Sequence, residues 1–276
     1  MRFFALGSLL LAGASTSLAA CENCTPSSSD NEVLQFAWGI QYFLTQFYAS
    51  VPLNQSLIST LPNSSSVNYG TNLRNLERQN RWSTRALKQL GDKVGFQVPT
   101  CNYTLPKVAN GTSFLETALQ LESTISGAFI GLAGFTQAPE VSFLLARVAT
   151  QHGVQATYIA SNTESTVFKS NSTFAIEAYT PEEVLSSGKG PGKLGSYLGG
   201  CLSAPPGPCG QDLVIGPLTA NLVQPSSAAA ASSSADIASS VFATSTPSIS
   251  SFAASSSGGA AASSTPASAS ASPSST

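Results

Sequence analysis

Four long stretches of helical periodicity, no stretch of comparable length with period-two alternation, and one connection long enough to cross a bundle end to end predict an all-α fold. The class is a four-helix bundle with a long crossover, followed by a loop-rich segment and a low-complexity tail. The first stretch, Asn31–Ser50, repeats Val33, Ala37, Ile40, Leu44 and Phe47 at spacings of three and four, which lines one face of a helix. Asp30 precedes it as the expected N-cap, and Pro52 opposes its continuation. The second, 69–90, carries Leu73, Leu76, Leu87 and Leu90 on one stripe, with Gly91 as the expected stop. The third, 113–135, runs through Leu115, Ala118, Leu119, Ile125, Phe129 and Leu132, and the fourth, 139–161, through Val141, Leu145, Val148, Ala156 and Ile159.

Helices of this length, each with one apolar stripe, bury those stripes most simply against one another. A 20-residue helix is about 30 Å long, and the extended segment 91–112 can span that distance. Segment 162–225 reads as loop with one short helix at 181–186, wrapped on the bundle and pinned by a disulfide.

Charge is scarce: 9% of the 276 residues are Asp, Glu, Lys or Arg, against about 25% in an ordinary soluble domain. The formal charge of −2 lacks the basic excess expected of a nucleic-acid partner. A single His excludes any site that needs two from one chain. The deficit is concentrated at the ends. Residues 1–20 carry only Arg2, then an apolar run closing on Ser-Leu-Ala-Ala, the layout of a secretory signal peptide. Residues 226–276 are almost wholly Ser, Ala, Pro, Thr and Gly, with Asp236 as the one charge, the composition of an O-glycosylated stalk. Between them lie a bundle at 21–165 and an extension at 166–225. No other stretch approaches the roughly 18–20 apolar residues of a membrane span. The end Ser-Pro-Ser-Ser-Thr is not the hydrophobic tail of about 10–20 residues that a GPI signal requires. A secreted protein, extracellular or held at the cell wall, is expected.

The five cysteines, Cys21, Cys24, Cys101, Cys201 and Cys209, suit an oxidising compartment, and their odd number leaves one without an intrachain partner. Cys101 is expected to bond either Cys201 or Cys209. Cys21-x-x-Cys24 has redox spacing, but without a following strand and helix it reads as a stapled or free N-terminal segment. Leu18-Ala19-Ala20-Cys21 also fits a bacterial lipoprotein cleavage site. Against that reading stand the tail and six Asn-x-Ser/Thr sequons, at Asn23, Asn54, Asn63, Asn102, Asn110 and Asn171, which favour a glycosylating pathway.

Several segments together suggest a family: the aromatic run Tyr42-Phe43-Leu44-Thr45-Gln46-Phe47-Tyr48, the helix end Leu87-Lys88-Gln89-Leu90-Gly91, Pro99-Thr100-Cys101-Asn102-Tyr103, Ala118-Leu119-Gln120-Leu121-Glu122 and Gln155-Ala156-Thr157-Tyr158. With the signal peptide ahead of them, they resemble the secreted ferritin-like proteins of fungi, the group that includes stress-response and late sexual-development proteins. The resemblance covers 32–224. It implies a ferritin-like bundle and a role in stress, development or host contact.

Di-iron members of that fold use inward carboxylates plus a Glu-x-x-His pair on each of two helices, because carboxylates bridge the irons and each imidazole caps one side. This chain lacks the set. The first helix has Leu44, Thr45 and Gln46 in the ligand region, and the second has Glu77 followed three residues later by Asn80. The third keeps Glu122; the fourth has His152, with Ala149 where the paired Glu belongs and Gln155 nearby. Glu122 and His152 are therefore the candidate inward polar groups, read either as a hydrogen-bonded remnant of a metal site or as ligands of a single metal ion. No other cofactor is expected, and neither is enzymatic chemistry, since no Gly-x-Ser-x-Gly nucleophile elbow occurs.

On the second helix, Arg74, Arg78, Arg81, Arg85 and Lys88 recur at alternating spacings of four and three, drawing one basic stripe. It reads as a solvated face, or as a docking face for cell-wall polysaccharide, other anionic glycans or an anionic surface, as an adhesin or host-directed effector would need. The loop Gly188-Lys189-Gly190-Pro191-Gly192-Lys193 misses the Walker spacing, with Ser187 at the first glycine position and Leu194 after the lysine.

Overall fold

The computed structural model describes residues 26–170, 176–187, 190–216 and 219–223. The leader, Cys21, Cys24, Asn23, Asn171 and the tail beyond 223 lie outside the described residues. Among the described residues the α-helices are α1 (Asn31–Ser50), α2 (Gln55–Ile58), α3 (Tyr69–Asp92), α4 (Gly111–Leu132), α5 (Pro139–Thr163), α6 (Pro181–Leu185) and α7 (Gly195–Leu198). The four long ones form the bundle, α1 lying against α3 and α4 against α5.

Contacts at the two ends set the topology. At one end Lys93, just past α3, pairs with Glu140 at the start of α5 at 2.6 Å, and Asp30 ahead of α1 accepts a hydrogen bond from Thr136. At the other end the Gly111 amide donates to Thr60 Oγ1 at 2.8 Å, joining the start of α4 to the α1–α3 connection. The ends of α3 and α4 therefore lie together, so these helices run parallel and 93–110 must travel back along the bundle. This is the long crossover.

Helix boundaries follow local chemistry. The Asn68 side chain accepts from the Thr71 amide to start α3. Asn110 forms a capping box with Ser113 to start α4, and Pro139 occupies the first turn of α5, where its missing N–H costs nothing. Two sequence expectations need correction. Asp30 stands at the α1 N-cap position but does not cap it; its carboxylate turns back to Ser27 and across to Thr136. Gly91 does not stop α3, which continues to Asp92. It is small because Phe96 folds over it, and a Cβ there would lie 2.2 Å from Phe96 Cδ1.

α1 is the most enclosed helix, covered on several sides, with Val33, Leu34, Phe36, Ala37, Ile40, Phe43, Leu44, Phe47 and Tyr48 at 0–1% exposure. The crossover and the C-terminal extension provide part of that cover. Tyr103 packs on Tyr42 and Phe43 and donates to the Gly39 carbonyl at 3.0 Å. Tyr197 stacks on Phe43 at 5.5 Å, and Thr104 N donates to the Tyr197 carbonyl at 2.9 Å. Cys101–Cys201 bonds crossover to extension, selecting Cys201 of the two expected partners; Cys209 is exposed and has no disulfide partner among the described residues.

The extension also crosses α4, where Tyr179 N donates to the Gly127 carbonyl at 3.1 Å. At Gly131 a Cβ would stand 1.9 Å from the Tyr179 carbonyl. The sequence pointed away from sheet, yet the extension holds two antiparallel ribbons, Ser186–Ser187 with Gly190–Pro191 and Asp212–Ile215 with Ala220–Val223. Strands of two to four residues are too short to register as alternation.

Candidate functional site

All four long helices send polar side chains to one point inside the bundle. α1 contributes Gln41, Thr45 and Tyr48, at helical spacings of four and three, so they share an inward line. α3 contributes Asn80 and Ser83, α4 Glu122, and α5 His152 and Gln155 one turn apart. Glu122, His152, Gln41 and Asn80 are 0% exposed, Tyr48 1% and Gln155 2%.

The Glu122 carboxylate is the hub. Its Oε2 lies 2.5 Å from His152 Nδ1. Its Oε1 accepts from Tyr48 OH at 2.8 Å and from Asn80 Nδ2 at 3.2 Å. With the Gln155 amide turned so that nitrogen faces the acid, it donates to Oε1 at 2.9 Å and Oε2 at 3.0 Å. The opposite orientation would set the amide oxygen against the carboxylate. The far side of the imidazole is held as well, with Nε2 2.7 Å from Gln41 Oε1. Gln41 Nε2 in turn donates to the Asn80 carbonyl at 3.5 Å, which directs the Gln41 oxygen to the ring and requires a proton on Nε2. The imidazole thus bridges the Glu122 carboxylate and the Gln41 amide, so neither of the buried groups lacks a hydrogen-bond partner.

Tyr48 remains a donor throughout. Burial raises its phenol pKa well above 10.0, and the neighbouring Glu122 charge and hydrogen bond raise it further. Phe129 stacks on the His152 ring at 5.8 Å. A second tier steadies the first: Gln151 donates to Asn80 Oδ1 at 3.2 Å, Ser83 donates to Gln151 Oε1 at 2.9 Å, and Thr45 donates to the Gln41 carbonyl at 3.0 Å.

The two residues singled out from sequence thus meet, with Gln155, noted beside them, as a further partner; Gln41, Tyr48 and Asn80 were not singled out. Of the α1 line, Gln41 and Tyr48 bond the central pair, whereas Thr45 bonds the α1 backbone and Thr84; Leu44 is core. Asn80, set aside as a poor ligand, is a donor to Glu122. The available signal was Gln41, Thr45 and Tyr48 as polar interruptions at helical spacing in an apolar run. Glu77 does not point inward; it pairs with Arg81 at 2.6 Å on the surface. Ala149 is buried, and its carbonyl accepts from Ser126 at 2.8 Å. Among the described residues, no three His, Cys, Asp or Glu side chains are grouped as metal ligands require.

The basic stripe lies on the outer side of α3, where Arg74, Arg78, Arg81, Arg85 and Lys88 are all exposed. Arg81 is paired with Glu77 and Lys88 with Asp92, whereas Arg78 and Arg85 have no carboxylate within 4.0 Å among the described residues. The sequon asparagines Asn54, Asn63, Asn102 and Asn110 are exposed too. Asn54 and Asn110 cap helices through Oδ1, leaving Nδ2 outside those cap bonds. No helix among the described residues is long and apolar enough to cross a membrane.

The ferritin-like domain family matches residues 29–165. No curated protein matches the chain.

Proposed function

The chain carries a ferritin-like domain, and from that premise we propose that it is a secreted, glycosylated extracellular or cell-wall protein whose bundle has given up di-iron chemistry. In this reading it resembles the fungal stress-response and late sexual-development type and acts in stress, development or host contact without catalysing a reaction. The observation that carries it is the state of the one central carboxylate. Glu122 faces a phenol, two amides and an imidazole, each of which donates to it or shares a proton with it, so the lone pairs a metal would need are engaged. A di-iron centre needs several carboxylates to bridge and neutralise two ions, and the amides at Gln41, Asn80 and Gln155 supply no such charge. The residues present do not fit the group.

Exposed sequons and a disulfide between crossover and extension support an oxidising, glycosylating route. Metal analysis of the purified protein, after loading with iron, manganese, copper and zinc, tests the central claim. Stoichiometry far below one ion per chain is expected. One retained ion per chain, lost in Glu122→Gln, would instead establish a metal-binding or redox protein using Glu122 and His152.

A second reading concerns the surface. Arg78 and Arg85 project from α3 without carboxylate partners among the described residues, in a chain otherwise poor in charge, which supports a face for anionic glycans, as in an adhesin or effector.

A further inference from the structure

The exposed side of α3 carries more than its basic residues. Trp82 stands among them at 56% exposure, whereas the only other tryptophan, Trp38, is at 6%. It lies four residues after Arg78 and three before Arg85, spacings that stack side chains along one helix face. Gln89, seven residues beyond Trp82, continues the row and is also exposed. The result is a ridge of guanidinium, indole, guanidinium and amide, with Arg78 and Arg85 about 10 Å apart along the axis. Neither an aromatic ring nor a cation covers the indole among the described residues. The exposed Phe143 differs, since Arg147 lies over its ring at 5.9 Å.

Each component has a chemical counterpart in one ligand class. The apolar face of a pyranose ring stacks on an indole, and a planar guanidinium holds a carboxylate or sulfate in a bidentate fork. A side-chain amide both donates to and accepts from sugar hydroxyls. A membrane surface fits less well, because an interfacial helix inserts a broad apolar face, and Trp82 is the one large apolar side chain exposed on α3.

We propose that the Arg78–Trp82–Arg85 ridge of α3 binds an acidic polysaccharide, with one sugar ring stacked on Trp82 and flanking acidic groups held by Arg78 and Arg85. The inference rests on the anionic-glycan reading of α3 and adds to it a stacking subsite and a preference for acidic groups on alternate sugars. That spacing suits two cations about 10 Å apart better than a charge on every ring.

The test uses the full chain and sodium hyaluronate, which bears a carboxylate on alternate sugars. Dextran serves as the neutral control and phosphatidylserine-containing vesicles as the membrane control. The wild type is expected to bind hyaluronate and not dextran, with shielding of Trp82 from acrylamide quenching. Trp82→Ala should weaken binding about tenfold, equivalent to ~1.4 kcal/mol, while Trp82→Phe should retain most of it. Arg78→Gln with Arg85→Gln should flatten the salt dependence by about two ionic contacts, by the counterion-release relation. All three variants alter exposed positions, and unchanged melting temperatures will show that the fold is intact. If the arginine variant loses binding but Trp82→Ala does not, the saccharide ridge is wrong while the anionic-surface reading stands. Absent wild-type binding, or binding indifferent to all three variants, overturns both. Vesicle binding as tight as hyaluronate binding overturns the polysaccharide assignment in favour of a membrane.

Discussion

α3 holds polar side chains in two very different settings. On its inner face Asn80 is fully buried and donates to Glu122, whose carboxylate meets donors on every side. On its outer face Arg81 reaches Glu77 across one helical turn with about half of its side chain in water. The distances are alike, 2.5 Å for Glu122–His152 and 2.6 Å for Arg81–Glu77, yet the energetic consequences differ. A surface pair exchanges water for a partner at little gain. Inside the bundle the groups are out of contact with bulk water, so each depends on its protein partners.

That contrast is broken most directly by Glu122→Ala, which takes from His152 and the surrounding donors the acceptor they share. Removing one partner of a buried pair costs about 3–5 kcal/mol, and urea denaturation should show a loss of that order. The double variant with His152→Ala should cost much less than the sum of the singles, because the second change removes the group that the first left unpaired. Additive losses would mean that the two side chains are not energetically coupled.

Tyr48→Phe is expected to be milder, since the carboxylate retains its other partners. One charge-assisted hydrogen bond is lost, about 1.5–3 kcal/mol, and the variant also has a pH signature. Because the folded-state phenol pKa is raised above 10.0, the native state holds that proton more tightly than the unfolded chain does. The associated stabilisation is complete below pH 10 and falls as alkali rises towards the folded pKa. Tyr48→Phe should therefore show a shallower loss of stability above pH 10 than the wild type in parallel pH-dependent melts. Identical alkaline slopes would argue against a buried phenol bonded to the acid.

Arg81→Gln should have the smallest effect, below about 1 kcal/mol and diminishing with added salt. A loss as large as that of Glu122→Ala would erase the distinction between the two faces.

The four long helices were legible because their apolar residues recur at helical spacing, and burial of those stripes leaves few architectures. Glu122 and His152 were legible as polar interruptions of apolar faces. Gln41, Tyr48 and Asn80 were harder to read because amides and phenols are ordinary on helices, and nothing local marks one as the partner of a carboxylate on another helix. Gly91 and Gly131 show the same limit: a stop signal and a weak helix former in sequence, they are close-approach points for Phe96 and for the Tyr179 backbone.

The amino-acid sequence by itself determined the helices, the long connection and the scarcity of charge, since these depend on periodicity and composition along the chain. Tertiary structure alone decided that Cys201 rather than Cys209 meets Cys101, that the central acid is surrounded by hydrogen-bond partners, and that Trp82 stands uncovered between two arginines. Each depends on distances between segments far apart in the chain or on what other segments leave uncovered, and local residue preferences do not encode either.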